Sequence, residues 1–370
     1  MKNEEKIDTY IYKLGEKQFI LKETDSSKVC RGEEYNFVFD KKTGDFARWG
    51  TEIEDDPLFS PIGPEILDFE ISVNGCSVGC PFCYKGNVPE NPINMTLDKF
   101  KIVVDKFPKT LTQIAFGITD LQTNPDFFKM MEYARSIGVI PNFTMTGIDL
   151  TDDLAKKIVE LCGAVAVSAY QHIKDVGYDI IKTMTDLGLK QTNMHLMVSK
   201  QTLPFVLEVI DDIQNDERLK KLNAVVFLGL KPKGRSAKQY SPLDESQFAE
   251  ICALCLEKEI PFGFDSCSAP RFESYVRSSD FSNDRKQQLL CVSESCESGL
   301  FSAYVNVNGD YFPCSFCEGE DDWKDGISIM DSKDFISDVW FHPRVTNWRK
   351  KLIQSSCNGC RKCLMFPEIN

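Results

Sequence analysis

From about residue 66 the chain alternates between two kinds of pattern. Short apolar runs, strand-like in length, recur near 69–74, 113–117, 139–145, 164–169, 192–198, 224–230 and 261–265. Between them lie stretches with helical periodicity and clear punctuation. Asn124-Pro125 gives an N-cap followed by proline at the first helical position, and Gly138 closes that helix. Thr151 caps the next, which ends before Gly163, and the helix through Asp186 ends at Gly188. The strands are mostly apolar throughout, as expected of parallel strands covered on both faces. Six βα units and a seventh strand predict an α/β fold, a partial (β/α)6 parallel TIM-like barrel.

The flanks read differently. In residues 1–65, Tyr10-Ile11-Tyr12 and Phe19-Ile20-Leu21 flank Gly15, and residues 35–39 alternate with period two. Lys42-Thr43-Gly44-Asp45 then signals a turn before Phe46, so a hairpin is expected. The proline-rich stretch 57–64 should run extended over the body. This small β-rich segment suits either a cap on the barrel bottom or an arm that docks a peptide. After about residue 266 the periodic pattern stops. One hairpin is legible, Ala303 to Val307 and Tyr311-Phe312 around Asn308-Gly309-Asp310, and a helix is expected near 334–340. With little apparent core and many thiols, this part reads as held together by metal. The expected division is 1–65, 66–266 and 267–370.

Composition narrows the classes. Hydrophobic content is 42% and charged content 27%, as in globular proteins. No apolar run approaches the roughly 20 residues that span a bilayer. The polar start Met1-Lys2-Asn3-Glu4-Glu5-Lys6 lacks an apolar signal region, so a cytoplasmic protein without a membrane partner is expected. The net charge of -13 argues against a nucleic-acid partner held by phosphate contacts and favours a basic peptide or a small molecule. Fifteen cysteines in such a chain point to metals before disulfides.

Cys76, Cys80 and Cys83 put three thiols within eight residues, directly after the first barrel strand. In such barrels this loop falls on the rim where active sites lie. Three ligands leave one coordination position open. A zinc knuckle is the bland alternative, but structural zinc takes four closed ligands and no fourth cysteine or histidine is near in sequence. The spacing Cys-x3-Cys-x2-Cys, with Phe82 before the third cysteine, closely resembles the signature of the radical S-adenosylmethionine (SAM) superfamily over roughly residues 66–265. The resemblance implies a 4Fe–4S cluster on Cys76, Cys80 and Cys83 whose fourth iron binds SAM. One electron, from a donor such as flavodoxin or ferredoxin, then gives a 5′-deoxyadenosyl radical that abstracts a substrate hydrogen.

The same resemblance implies the SAM contacts. Phe82 and Tyr84 flank the last cysteine. Where the family usually has Gly-Gly-Glu, this chain has Ile118-Thr119-Asp120 after Gly117, so Asp120 would supply the carboxylate with a shorter reach. Thr144 and Thr146 end the third strand, and Ser168 ends the fourth. Lys231-Pro232-Lys233-Gly234-Arg235 is similar to a Pro-x-Gly-Arg loop of the family, and Lys231 and Arg235 would meet the SAM carboxylate or an acidic substrate group. Of the three histidines, His172, His195 and His342, the one in the fifth strand, His195, reads as a packed residue. Cys162, Cys252 and Cys255 read as small buried hydrophobes.

Cys296, Gly309 and Cys314 resemble the opening of a SPASM or twitch domain, with Cys291 a few residues upstream. Such domains carry auxiliary 4Fe–4S clusters. The family's second half departs here to Cys357, Cys360 and Cys363. Together with Cys317 and Cys267 there are eight candidates, favouring one auxiliary cluster with thiols enough for a second. The alternative is a structural zinc site. The resemblance therefore implies a radical SAM enzyme that modifies a peptide or protein side chain, in the manner of a maturase forming a thioether or carbon–carbon crosslink. The competing readings are modification of a nucleotide, nucleic acid or small metabolite, and a non-catalytic zinc or iron–sulfur interaction protein.

Overall fold

A computed structural model describes residues 6–235, 239–356 and 360–369. Its centre is a run of parallel strands and helices: β6 (Ile66–Glu70), α1 (Leu97–Val104), β9 (Gln113–Gly117), α2 (Phe127–Ser136), β10 (Ile140–Met145), α3 (Asp152–Leu161), β11 (Val165–Ser168), α4 (Lys174–Asp186), β12 (Thr192–Val198), α5 (Leu203–Asn215), β13 (Ala224–Gly229), α6 (Glu245–Glu257) and β14 (Phe262–Phe264). Strands β6 and β9 to β14 pair in chain order, all parallel. This is the partial TIM-like barrel expected from the pattern. A short pair, β7 (Ser72–Val73) with β8 (Ile93–Asn94), follows the first strand.

The strands are less uniform than their apolar text implies. Along β12, Thr192, Met194, Leu196 and Val198 are buried and the residues between them only partly so. In β6, Leu67 and Phe69 are fully buried while Asp68 between them is open. One side of each strand feeds the helix-covered core, and the other faces the barrel interior. Phe69, Phe100, Phe116, Phe127 and Phe143 form a connected aromatic chain in that core.

Helix boundaries follow local chemistry. Thr96 caps α1 and Thr151 caps α3, each accepting from a backbone amide three residues on. The helix expected from Asn124-Pro125 starts later, at Phe127, with Asp126 as its cap residue. Asn124 still caps the turn that leads into it, its Oδ1 accepting from the Asp126 amide at 2.9 Å, and its buried Nδ2 also donates to the carbonyls of Ile71 and Met95. One side chain thus serves both the local turn and a tertiary tether.

The N-terminal segment is a five-stranded antiparallel sheet of β1 (Asp8–Leu14), β2 (Lys17–Glu23), β3 (Ser27–Arg31), β4 (Asn36–Asp40) and β5 (Phe46–Trp49). It lies on the amino ends of the barrel strands. The Lys109 amide donates to the Tyr12 hydroxyl, and Gln191 Nε2 donates to the Thr43 carbonyl. The fully buried Lys28 donates to the carbonyls of Lys109 and Leu111 just before β9. Burial, only partly offset by Glu23 at 3.6 Å, lowers its pKa to about 8.

The C-terminal part corrects the expectation of little core. It holds α7 (Ala269–Ser278), α8 (Asn283–Cys291), β15 (Ser302–Val305), β16 (Asp310–Phe312), β17 (Ile327–Ser328), a π turn at Ile336–Trp340 and α9 (Pro343–Gln354). Tyr311, Phe312, Trp323, Val339, Trp340, Val345 and Trp348 join the same core as the barrel. The expected hairpin forms, but β15 also pairs parallel with β6, so one ten-stranded sheet runs through both parts. Apolar packing, and not metal alone, holds this region.

Candidate active site

The carboxyl ends of the barrel strands surround a cavity of ≈ 510 Å³. Cys76, Cys80 and Cys83 line it, with Phe82 and Tyr84 of the same loop. The loop is tied at its base. Asn74 and Gly75 both take left-handed φ values, of 60° and 68°. The Asn74 amide donates to Asn87 Oδ1, the Val88 amide donates to Asn74 Oδ1, and the Cys76 amide donates to the Val88 carbonyl.

A second loop clamps the first. Arg235 Nε donates to the Cys80 carbonyl at 2.9 Å and its Nη1 to the Asn87 carbonyl at 2.7 Å, while its amide donates to the Cys83 carbonyl at 3.0 Å. Gly234 makes this approach possible: at φ 63°, a Cβ there would stand 2.3 Å from the Tyr84 carbonyl oxygen. Behind the thiols, the Tyr170 ring packs on Phe82 at 5.1 Å and its hydroxyl bonds the Cys80 thiol. Burial pushes the Cys80 thiol up to about 11.

The other predicted contacts divide. Gly117, Thr119, Thr144, Thr146, Ser168 and Lys231 line the cavity. Asp120 is not on the wall. Its Oδ2 accepts from the Ser77 amide at 3.0 Å, and its buried Oδ1 has no partner among the described residues. Arg235 is also off the wall, occupied with the cysteine loop. Lys231 is buried and ion-paired with Asp265, which also accepts from Ser268 Oγ and the Gly229 amide. Burial opposes the Lys231 charge, and Asp265 and Cys267 more than restore it. His195 faces the cavity, 3.4 Å from Thr144 Oγ1, and burial lowers its pKa to about 4, so it is neutral.

Several further residues on the wall belong to no sequence motif. Asp68 and Glu70 are two apart on β6, on its interior side, so period two inside a barrel strand points to them. Lys85 ion-pairs with Glu70 at 2.9 Å and with Glu318, and donates to the Tyr304 hydroxyl, which donates to Glu70 Oε2 at 2.8 Å. This network joins the cysteine loop to the C-terminal part. Tyr304, Ser315 and Phe316 complete the cavity wall, and Phe316 packs on Tyr84 at 4.6 Å.

The C-terminal thiols are gathered in part. Cys267 and Cys363 are hydrogen-bonded to each other, which raises the first and lowers the second. Cys314 bonds Cys317, and Cys296, pushed up to about 12 by burial, feels Cys267 and Cys314. Cys360 lies instead beside Glu273 and Ser295. Cys291 is exposed near Lys286 and Leu290. Cys357 lies outside the described residues. Among the described residues no three metal-binding side chains converge at the spacing of a single ion. Three thiols on one wall, beside hydroxyls from the ends of three strands, are chemically a donor set for a thiolate-held cluster and a polar ligand.

Residues 296–364 match the SPASM family, an iron–sulfur cluster-binding domain. No curated protein matches the chain. Among solved structures, Streptococcus suis SuiB bound to S-adenosylmethionine is 13% identical, with a TM-score of 0.61 over 78% of this chain and 68% of that one. Native anSMEcpe with bound AdoMet and Cp18Cys peptide is 15% identical, with a TM-score of 0.57 over 82% of this chain and 87% of that one. At these identities the likeness is one of fold. Among the described residues, no helix is long and apolar enough to cross a membrane.

Proposed function

We propose that this radical SAM enzyme, a partial barrel carrying a SPASM iron–sulfur domain, modifies a side chain of a peptide or protein. The observation that carries the reading is that one cavity is walled by the three-thiol loop and by Tyr304, Ser315 and Phe316 of the iron–sulfur domain. A substrate there sits within reach of both. The fold similarity to anSMEcpe, whose structure contains a bound peptide, supports a peptide over a free metabolite.

When bound, the SAM cluster and SAM supply a 5′-deoxyadenosyl radical that takes a hydrogen from the substrate. The chain's residues do the rest. Cys76, Cys80 and Cys83 hold the cluster, and Arg235 and Gly234 fix their loop. Phe82, Tyr84, Gly117, Thr119, Thr144, Ser168 and Lys231 form the walls that orient SAM, with Asp120 acting through the Ser77 amide. Tyr170, Phe82 and Phe316 exclude water, which protects a reactive intermediate. One auxiliary cluster draws its thiolates from Cys267, Cys296, Cys314, Cys317 and Cys363. The many free thiols suit a reducing cytoplasm with a flavodoxin or ferredoxin donor.

The test is anaerobic reconstitution, then SAM, reductant and a panel of short synthetic peptides set against nucleotides and small metabolites. Release of 5′-deoxyadenosine with loss of two hydrogens from a peptide supports the proposal. Release of 5′-deoxyadenosine with modification of a nucleotide or metabolite, and of no peptide, would overturn it. Cys80→Ala is the control that must release none.

A further inference from the structure

The charged side chains on the cavity wall are matched with one exception. Glu70 pairs with Lys85, and Lys231 pairs with Asp265. Asp68 has no hydrogen bond or ion pair among the described residues. It sits in the middle of β6, in register with Ala115 on one side and Tyr304 on the other. The Tyr304 hydroxyl is committed to Glu70 and Glu318, and Ala115 offers no polar group. The Asp68 side chain is exposed, and it lines the cavity. A carboxylate that faces a walled cavity with no protein partner among the described residues is available to pair with a cation that enters it. Glu70, Lys85 and Glu318 together add a further negative charge nearby, two carboxylates against one ammonium. The chain's net charge of -13 draws cations toward it.

We propose that Asp68 anchors a cationic group of the substrate, an ammonium or guanidinium such as a lysine or arginine side chain carries, inside the barrel. This rests on the peptide reading only for what bears the cation. The small residues Ala115 and Gly117 on the neighbouring strand leave room for a long side chain to lie along β9. Burial raises the Asp68 pKa to about 6, so the carboxylate remains ionised at pH 7.5 and ready to pair.

The test uses anaerobically reconstituted holoenzyme saturated with SAM. The probes are the blocked tripeptides acetyl-Gly-Lys-Gly-amide and acetyl-Gly-norleucine-Gly-amide, and n-butylguanidinium. Binding is read by calorimetry and by perturbation of the SAM-bound cluster's electron paramagnetic resonance. The lysine peptide is expected to bind at least about tenfold more tightly than the norleucine peptide. Asp68→Asn should abolish that preference while leaving SAM affinity and iron content unchanged, and Asp68→Glu should keep part of it. A wild type with no charge preference for any probe would overturn the proposal. So would an Asp68→Asn variant that loses SAM affinity, since Asp68 would then belong to the cofactor's contacts. Asp68-dependent binding of butylguanidinium with neither peptide bound would uphold the anchor and count against the peptide reading instead.

Discussion

Arg235 looks from its sequence context like a SAM contact, and its geometry makes it a clamp. Consider Arg235→Ala. The variant keeps the backbone bond to the Cys83 carbonyl but loses the guanidinium bonds to Cys80 at 2.9 Å and Asn87 at 2.7 Å. Hydrogen bonds from a charged donor are worth about 1.5–3 kcal/mol each. The site is half-buried, so water recovers part of that, and a net loss of about 2–4 kcal/mol in loop ordering is reasonable. At about 1.4 kcal/mol per decade, the loop would open roughly 30- to 1,000-fold more often. The assay is the rate at which a strong chelator strips iron from the cluster proposed on Cys76, Cys80 and Cys83, followed in a variant whose C-terminal cysteines are replaced. Arg235→Ala should release iron faster by about that range, and Arg235→Lys, able to reach one carbonyl, should fall between. A wild-type stripping rate together with lost SAM affinity would refute the clamp and return Arg235 to the cofactor.

Three further outcomes follow from the same geometry. Gly234→Ala should cost about 2–4 kcal/mol and lower iron loading, because its Cβ meets the Tyr84 carbonyl, whereas Gly79→Ala, at a similar φ of 63° with nothing nearby, should cost only about 1 kcal/mol in denaturant titrations. Lys85→Met strands Glu70 and Glu318 and should destabilise the protein by about 3–5 kcal/mol in the same measurement. Lys28 has a folded pKa of about 8, below the unfolded 10.5, so the unfolded chain binds its proton more tightly. Its contribution to stability is therefore full above pH 10.5 and lost as pH falls to 8, about 3 kcal/mol in all. Wild type minus Lys28→Met, measured from pH 8 to 10.5, should rise by that amount.

What was legible in the sequence is what neighbouring residues decide among themselves. The three-cysteine loop, the parallel strands and the Thr151 cap each arise from spacing within a few residues. Helix α9 is also local in origin, with Pro343 in its first turn and Val345, Trp348 and Leu352 on one buried face. Other features depend on where distant segments meet. Asn124 keeps its local bond to the Asp126 amide, and only the arrival of Ile71 and Met95 makes it a tether as well. Arg235 could serve a carboxylate or a carbonyl, and the fold brings it the carbonyls of Cys80 and Asn87. Cys267 gains Cys363 as a neighbour across 96 residues of chain, which no local spacing encodes. The three-cysteine motif is spelled out within eight neighbouring residues. Its clamp, its second wall and the lone carboxylate of Asp68 were decided by tertiary structure, because long-range contacts are set by the packing of whole elements and not by the preferences of any one of them.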